Sequence, residues 1–129
     1  MTALFENRDI AADVAERLRV YAQPLRLMIL SCLLRGERTV AEIGEITGIT
    51  QPALSQQLAE LRRAELVNTR KEAKQVWYAL ADDRVISCVQ TMEAVFCGQD
   101  QIAAPAASTR AAVAEMTPGG VAGFARIVR

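Results

Sequence analysis

The chain contains 129 residues, of which 51% are hydrophobic and 23% charged, and its 15 basic and 15 acidic residues cancel at neutral pH. This length and composition predict one small globular domain with a single core, and they exclude a disordered or membrane-embedded chain. The longest apolar run falls far short of the ~18 residues that cross a bilayer. The start, "MTALFENRDIAADVAERLR", lacks the apolar region of a secretory signal, so we expect a cytoplasmic protein with no membrane partner.

Histidine is absent, and cysteine occurs only at positions 32, 88 and 97. Without histidine, the Ser–His and Cys–His pairs of nucleophilic catalysis cannot form, and the commonest metal ligand is missing. Three widely spaced cysteines are also too few for a secreted disulfide framework. We therefore predict a protein that is not an enzyme, has no catalytic site and uses no cofactor or metal ion. Its thiols are either inert core groups or sensors.

Two helices are predicted at the start of the chain. The segment "DIAADVAERLRVYA" has apolar residues at helical spacing, and Asp9 is the predicted cap of this first helix. Pro24 suits the first turn of a second helix, "PLRLMILSCLLRG", which should end near Gly36. Because this second helix is apolar nearly all round, we expect it to be a central, buried element.

A short third helix and an amphipathic fourth helix follow. Thr39 caps the third helix, "TVAEIGEIT", through a capping box, and Gly48 ends it. The fourth helix, "TQPALSQQLAELRRAEL", has Thr50 as its predicted cap and Pro52 in its first turn. One apolar stripe marks the side of this helix that faces the core: Leu54, Leu58 and Leu61.

The hydrophobic pattern then changes to a period of two. "LVNTRKEAKQVWYAL" predicts two strands joined by a turn near Glu72 and Ala73. Asp82 or Asp83 should cap a final helix that stops at Gly98. Beyond it, residues 99–129 are rich in Ala, Gly, Pro and Thr, which predicts a flexible or partly helical extension. Residues 1–98 are therefore interpreted as the domain and residues 99–129 as its extension.

This order of elements predicts a mainly α fold with a two-stranded β wing, the winged helix-turn-helix, in the order α-α-α-α-β-β-α. The fourth helix would enter the major groove of DNA, braced by the third. Glutamine can bond adenine through two atoms, and serine can serve either type of base. The candidate base-contacting residues on its polar side are Gln51, Ser55, Gln56 and Gln57.

The basic residues of this region are few. Between residues 51 and 80 there are five of them against three acidic residues, which leaves a net charge of two. DNA affinity would therefore have to come from a dimer that presents two such patches. The alternative is that these polar residues form only a solvated helix face. The basic residues are Arg62, Arg63, Arg70, Lys71 and Lys74.

The block "QPALSQQLAELR" followed by "LVNTRKEAKQVWYAL" resembles the ArsR/SmtB family of dimeric bacterial repressors, and the likeness covers most of residues 10–98. The resemblance implies that the fourth helix and the wing contact operator double-stranded DNA, while the first and last helices form a homodimer. It also implies that Lys71 and Lys74 touch the DNA backbone or minor groove. The residues implied to face the major groove are Gln51, Ser55, Gln56 and Gln57.

Many members of that family release DNA on binding a metal, but neither of their usual sites matches this chain. The place of one Cys-x-Cys pair holds "TVAEI", and the other site needs histidines. A thiolate-only site for a soft metal, built from the three cysteines, remains an alternative.

A second branch of the family, typified by BigR and SqrR, senses persulfides through two cysteines. "EAVFCGQD" is similar to the context of the second cysteine, which makes Cys97 its match. The first cysteine aligns with Ser31 and not with its neighbour Cys32. Either the protein uses Cys32, or Ser31 stands where a cysteine has been replaced. The implied inducer is a small reactive sulfur species, with peroxide or a soft metal as the alternative.

Helix geometry predicts different environments for these thiols. Cys88 shares a helix face with Val85 and Val89, which is the stripe that faces the core or the dimer partner, and it should be a small buried hydrophobe. Cys97, nine residues later, points roughly the opposite way and should be accessible and reactive. Ser31 and Cys32 point ~100° apart, so they cannot face the same partner equally well.

Overall fold

The fold consists of five helices and a small sheet, as a computed structural model that describes residues 1–98 shows. The predicted extension, residues 99–129, lies outside the described residues. After a single 3₁₀ turn at Leu4–Glu6, the elements are α1 (Arg8–Tyr21), α2 (Pro24–Leu34), β1 (Arg38–Thr39), α3 (Val40–Thr47), α4 (Ala53–Arg63), β2 (Val67–Glu72), β3 (Gln75–Leu80) and α5 (Asp83–Phe96).

The chain divides into two compact units, Met1–Val89 and Gln90–Arg129. The first contains every element through the first half of α5. The described part of the second comprises the end of α5 and the two residues after it. The predicted boundary at residue 98 stays a prediction.

The sheet has three antiparallel strands in the order β1-β3-β2, one more than the sequence predicted. β2 and β3 form the expected hairpin, with Val67 opposite Leu80 at its base. The additional strand, β1, pairs Arg38 with Tyr78 of β3. Because β1 has only two residues, it is too short to show an alternating pattern in the sequence. The winged helix-turn-helix architecture is confirmed, and the wing's sheet is corrected from two strands to three.

The core is apolar and is built around α2. Four side chains are fully buried, namely Ile29 and Leu30 of α2, Ile43 of α3 and Leu61 of α4. The leucine stripe of α4 faces inward as predicted: Leu54, Leu58 and Leu61 are all at most 3% exposed. The prediction that α2 is a central, buried element holds for its inner side, whereas Leu27 and Met28 are 38% and 43% exposed.

Two predicted helix caps are wrong by one or two positions. Asn7 and not Asp9 caps α1, since its Oδ1 accepts hydrogen bonds from the backbone N–H groups of Asp9 and Ile10 at 2.9 and 3.1 Å. Thr50 makes no side-chain cap at α4. Instead the Oε1 of Gln51 accepts from the backbone N–H of Ser55 at 3.0 Å. Asparagine and glutamine each carry a side-chain carbonyl that replaces a missing helical acceptor.

The other predicted helix boundaries hold. Pro24 occupies the first turn of α2, and Thr39 and Glu42 form the capping box of α3. The Oδ1 of Asp82 accepts from the backbone N–H of Val85 at the start of α5. Gly48 ends α3 in the left-handed region, at φ 78°, where a Cβ is disfavoured.

A second glycine, Gly44, lies within α3 and close to α4. A Cβ placed there would lie 3.2 Å from Leu54 Cδ2 of α4, closer than usual packing allows. The absence of a side chain at Gly44 therefore lets α3 and α4 approach closely and brings the candidate DNA-contacting helix against its brace.

Three residues with side chains also have positive φ. Ala73 and Lys74, at φ 55° and 68°, form the two-residue turn of the wing, one position later than predicted. The handedness of this turn suits the twist of a β-hairpin. Glu65 follows the C-cap of α4 at φ 62°, where glycine is the usual residue.

Replacing Glu65 by glycine is expected to stabilise the protein by about 1 kcal/mol, because a Cβ is disfavoured in the left-handed region. Gly48→Ala is expected to destabilise it by about the same amount, since Gly48 needs the same conformation although the space around it is open. Chemical denaturation of both variants measures the two changes.

Glu65→Gln is the matched control, since it removes the carboxylate at the end of α4 but keeps the Cβ. It should recover only a small part of the gain. If Glu65→Gln and Glu65→Gly stabilise equally, the charge and not the backbone explains the effect.

Candidate DNA-binding surface and thiol positions

α4 has one apolar and one polar side. Its three leucines are buried in the first unit, whereas Ser55, Gln56 and Ala59 are exposed along the opposite side. Sequence reasoning missed Ala59, although it lies four residues after Ser55 and thus on the same face. Its methyl group could contact a thymine methyl, and its small size would allow close approach to a base edge.

The two outer glutamines of the predicted set have different environments. Gln51 is exposed, and its side-chain carbonyl is occupied by the backbone N–H of Ser55, which leaves the amide N–H₂ as its donor. Gln57 is half-buried, and its Oε1 accepts a hydrogen bond from Arg26 Nε of α2 at 2.8 Å. This hydrogen bond holds the Gln57 side chain against α2. It therefore argues against the predicted contact of Gln57 with DNA, which stays a prediction.

Only some of the predicted basic residues are free of ion pairs within the described residues and can therefore contact DNA phosphates. Arg62, Lys71 and Lys74 are exposed, and no ion pair within residues 1–98 involves them. Arg63, in contrast, pairs with Glu60 at 2.6 Å. Sequence counting therefore overstated the number of cations that can meet phosphate groups.

Arg70 is bound to the body of the protein. Its Nε and Nη2 donate to the two carboxylate oxygens of Glu37 at 2.9 and 2.8 Å, and its Nη1 donates to Glu72. The guanidinium also lies 5.6 Å from the centre of the Trp77 ring. Glu37 belongs to the loop between α2 and β1, so this two-bonded pair attaches the wing to that loop. The hydrogen bond from Arg70 lowers the pKa of Glu37.

Ser31 and Cys32 face different environments, as their ~100° separation predicts. Cys32 is 6% exposed and belongs to the core. Burial raises the pKa of its thiol, and the nearby Arg38 guanidinium opposes this shift. Ser31 is half-buried on the side of α2 that also carries the exposed Leu27 and Met28, four and three residues before it.

Position 31 lies next to a cation. The Oγ of Ser31 accepts a hydrogen bond from Arg35 Nη1 at 3.1 Å, and the same nitrogen donates to the Ser31 backbone carbonyl at 2.9 Å. A guanidinium this close would stabilise the thiolate of a cysteine placed here. Because Cys32 also lies near guanidinium groups, those of Arg38 and Arg35, the two positions differ mainly in burial, which is smaller at position 31.

The two cysteines of α5 and its end are both exposed. Burial of Cys88 in the core of its own chain is wrong, because its side chain is exposed, and burial against a dimer partner stays a prediction. The thiol lies beside the hydroxyl of the buried Tyr21 of α1. Burial, followed by the effect of Cys88, raises the pKa of Tyr21 to about 12. Cys97 follows the last residue of α5, and its backbone N–H donates to the Glu93 carbonyl at 2.8 Å. The predicted accessibility of Cys97 is confirmed.

No group of three or more Cys, Asp or Glu side chains within residues 1–98 could hold a metal ion. In the same range, every helix is too short or too polar to cross a membrane.

The Glu37–Arg70 pair makes a pH-dependent prediction. Since the folded-state pKa of Glu37 lies below its ordinary value of 4.5, its contribution to stability should be complete above that pH and lost as the pH falls further. Glu37→Gln should therefore lower the melting temperature at pH 7, and the difference from the unsubstituted protein should vanish at strongly acidic pH. Thermal unfolding across this range measures it.

Glu45→Gln, at an exposed acid of α3, is the matched control and should change the melting temperature at neither pH. A Glu37→Gln difference that stays constant down to strongly acidic pH would contradict an ionic role for the pair.

The known proteins that this chain resembles are bacterial transcriptional regulators. The sequence profile described as "Bacterial regulatory protein, arsR family" matches residues 23–69, which run from the start of α2 into β2. The biofilm growth-associated repressor of Agrobacterium fabrum (strain C58) is 43% identical over 91 residues, covering 70% of this chain and 78% of the relative.

Two solved structures share the fold. The transcriptional repressor BigR from Xylella fastidiosa aligns with a TM-score of 0.68 at 36% identity, over 76% of this chain and 100% of that one. A homodimeric winged helix-turn-helix DNA-binding domain from Mycobacterium bovis aligns with a TM-score of 0.61 at 27% identity, over 74% of this chain and 86% of that one.

Proposed function

We propose that this chain, which belongs to the arsR family of bacterial regulatory proteins, is a homodimeric repressor whose affinity for operator DNA is switched by thiol chemistry, with reactive sulfur species as the inducer. Its relatives are transcriptional regulators and not enzymes, as the sequence predicted. A regulator of chromosomal DNA acts in the bacterial cytoplasm, which agrees with the predicted localisation.

The exposed side of α4 carries this proposal. Ser55 and Gln56 offer hydrogen-bonding groups for base edges, and the buried leucines on the opposite side hold α4 against the body. The exposed Lys71 and Lys74, at the tip of the wing, supply positive charge for phosphates. Arg62 adds a third exposed cation in the last turn of α4. Together these groups match the division of DNA contacts into base recognition and backbone positioning.

Exposed apolar side chains near the N-terminus support a homodimer. Leu4 and Phe5 precede α1 and are 52% and 90% exposed, while Ile10 and Leu18 of α1 are 38% and 53% exposed. These four lie on or next to the helix that the family resemblance assigns to the dimer. Covering them with a second copy would remove apolar surface from water. A dimer would also double the modest positive charge of one chain, and a relative from Mycobacterium bovis is homodimeric.

Cys97 is the proposed sensing thiol, because it is exposed and matches the second cysteine of the persulfide-sensing branch. Its thiolate would attack the outer sulfur of a small persulfide, form a Cys97 persulfide and release the remaining thiol. Cys32 is disfavoured, since burial raises the pKa of its thiol. By the family resemblance, Ser31 aligns with the first sensing cysteine, and its Oγ accepts a hydrogen bond from Arg35.

Alanine at Gln56 and at Lys71 should affect DNA binding differently. Gln56→Ala should lower the discrimination between a selected and a scrambled duplex by about 1–3 kcal/mol, since a base contact is lost. Lys71→Ala should weaken binding to both duplexes equally and reduce the salt slope by about 1 per chain. Titrations at several salt concentrations measure both effects.

Arg17→Ala serves as the control, because this exposed arginine of α1 already pairs with Asp13. It should change neither quantity. Binding by the unsubstituted protein that depends on neither sequence nor salt would refute the repressor.

Exposure of the reduced protein to glutathione persulfide, peroxide or zinc, followed by mass spectrometry, identifies the inducer class. We expect one added sulfur atom at Cys97 with persulfide, and no such product in Cys97→Ser. Cys88→Ser, which removes the other exposed cysteine, is the control and should leave the Cys97 product unchanged. Modification by peroxide only, or binding of zinc only, would assign the alternative inducers, and an unmodified Cys97 under all three treatments would end the sensing proposal.

Ser31→Cys extends this experiment to the pair. By the family resemblance, the introduced thiol should form a sulfur link to Cys97 after persulfide treatment and make DNA release more complete. A link between Cys32 and Cys97 would instead show that the alignment at position 31 is displaced by one residue.

A further inference from the structure

Arg26 connects three helices through its side chain. It lies in the first turn of α2, where its Nε donates to Gln57 Oε1 of α4 at 2.8 Å. Its Nη1 donates to the backbone carbonyl of Val20, in the last turn of α1, at 3.2 Å. The Arg26 junction, meaning Val20, Arg26 and Gln57, is thus a set of directional bonds among α1, α2 and α4.

Both the backbone and the side chain of Arg26 are held in place by hydrogen bonds. The backbone N–H of Arg26 bonds to Gln23 Oε1, the cap of α2, at 3.1 Å. The Val20 carbonyl belongs to the last turn of α1, where carbonyls lack helical partners and the helix dipole favours a cation. Both helices therefore fix the position from which Arg26 contacts α4.

The bond between Gln57 and Arg26 restricts the rotation of α4 about its own axis. It is adjacent to Gln56, and neighbouring helical residues point ~100° apart. While Gln57 stays bound to Arg26, Gln56 stays on the exposed side. The buried leucines of α4 restrict its distance from the core, but hydrophobic contacts are non-directional and hold its rotation less strictly than a hydrogen bond does.

The charge of Arg26 also reaches the carboxylate that follows Gln57 by three residues. The pKa of Glu60 is lowered mainly by its bond to Arg63, and to a lesser degree by Arg26. Arg26 nevertheless directs its hydrogen bonds to two neutral carbonyls, Gln57 Oε1 and Val20 O. Arg26 therefore acts on α4 mainly by fixing the position of the Gln57 side chain.

We propose that Arg26 is a positioning residue for sequence-selective DNA recognition. Through the Arg26 junction it sets the rotation of α4 relative to α1 and α2, so that Ser55 and Gln56 meet base edges while the backbone contacts of the wing are unaffected. This inference rests on the DNA-contacting role proposed for α4.

The test uses full-length protein and two 30-base-pair duplexes, one enriched by the protein from a random library and one scrambled. Arg26→Lys keeps the charge but loses the planar fork, and Gln57→Met removes the acceptor at similar volume. Each should lower affinity for the enriched duplex about tenfold, as expected for a lost base contact. Affinity for the scrambled duplex and the salt slope should not change.

The double variant separates positioning from direct contact. If Gln57 acts through Arg26, Arg26→Lys/Gln57→Met should bind no more weakly than the weaker single variant. If Gln57 contacts bases by itself, the two losses will add, and the inference fails. Arg17→Lys, at an exposed arginine of α1, is the matched control and should leave selectivity intact.

Melting temperatures distinguish positioning from general stability. Equal losses for both duplexes, or a lower melting temperature with unchanged selectivity, would show that Arg26 is only structural. Should Arg26→Lys fail to fold, Arg26→Gln takes its place in the double-variant comparison, because the loss in Gln57→Met alone does not separate positioning from direct contact. A library that yields no enriched duplex would overturn the DNA-contacting role itself, and this inference with it.

Discussion

The burial of one leucine stripe determines which side of α4 is available to other molecules. Leu54, Leu58 and Leu61 are at most 3% exposed, and each buried leucine contributes roughly 1.5–3 kcal/mol relative to an exposed one. Turning α4 over would lose this energy and bury polar groups without partners. The side with Ser55 and Gln56 must therefore face outward. The close approach of α3 at Gly44 and the bond from Arg26 then refine a position that the leucines establish.

Internal pairing of arginines limits the basic patch that this chain, which has no net charge, can present to DNA. Arg26 and Arg70 donate to neighbours inside the protein, and Arg63 pairs with Glu60. These residues shape the surface, while Lys71 and Lys74 at the wing remain exposed. Only three cations of α4 and the wing, namely Arg62, Lys71 and Lys74, are exposed without an ion pair in the described residues. So small a number favours an arrangement in which two chains bind DNA together, which agrees with the apolar residues exposed around α1.

The register of α2 gives the thiol positions their different chemistry. One residue of displacement moves a side chain from the outer surface, as at Ser31, to the core, as at Cys32. In the core, burial raises the pKa of the thiol, whereas at position 31 the Arg35 guanidinium lies within hydrogen-bonding distance. A shift of one position along α2 therefore changes the burial of a thiol and its neighbouring guanidinium, which is Arg38 at position 32 and Arg35 at position 31.

Local patterns in the sequence determined the helices, the hairpin, the capping box at Thr39 and the inward side of α4, because periodicity and caps involve residues a few positions apart. Only the tertiary structure decided the features whose partners are distant in sequence. β1 exists because β3 lies beside it, Arg70 is paired because Glu37 is near, and Gln57 turns inward because Arg26 donates to it. A polar residue looks alike in the sequence whether its partner is water, DNA or another side chain, and the fold alone brings that partner within hydrogen-bonding distance.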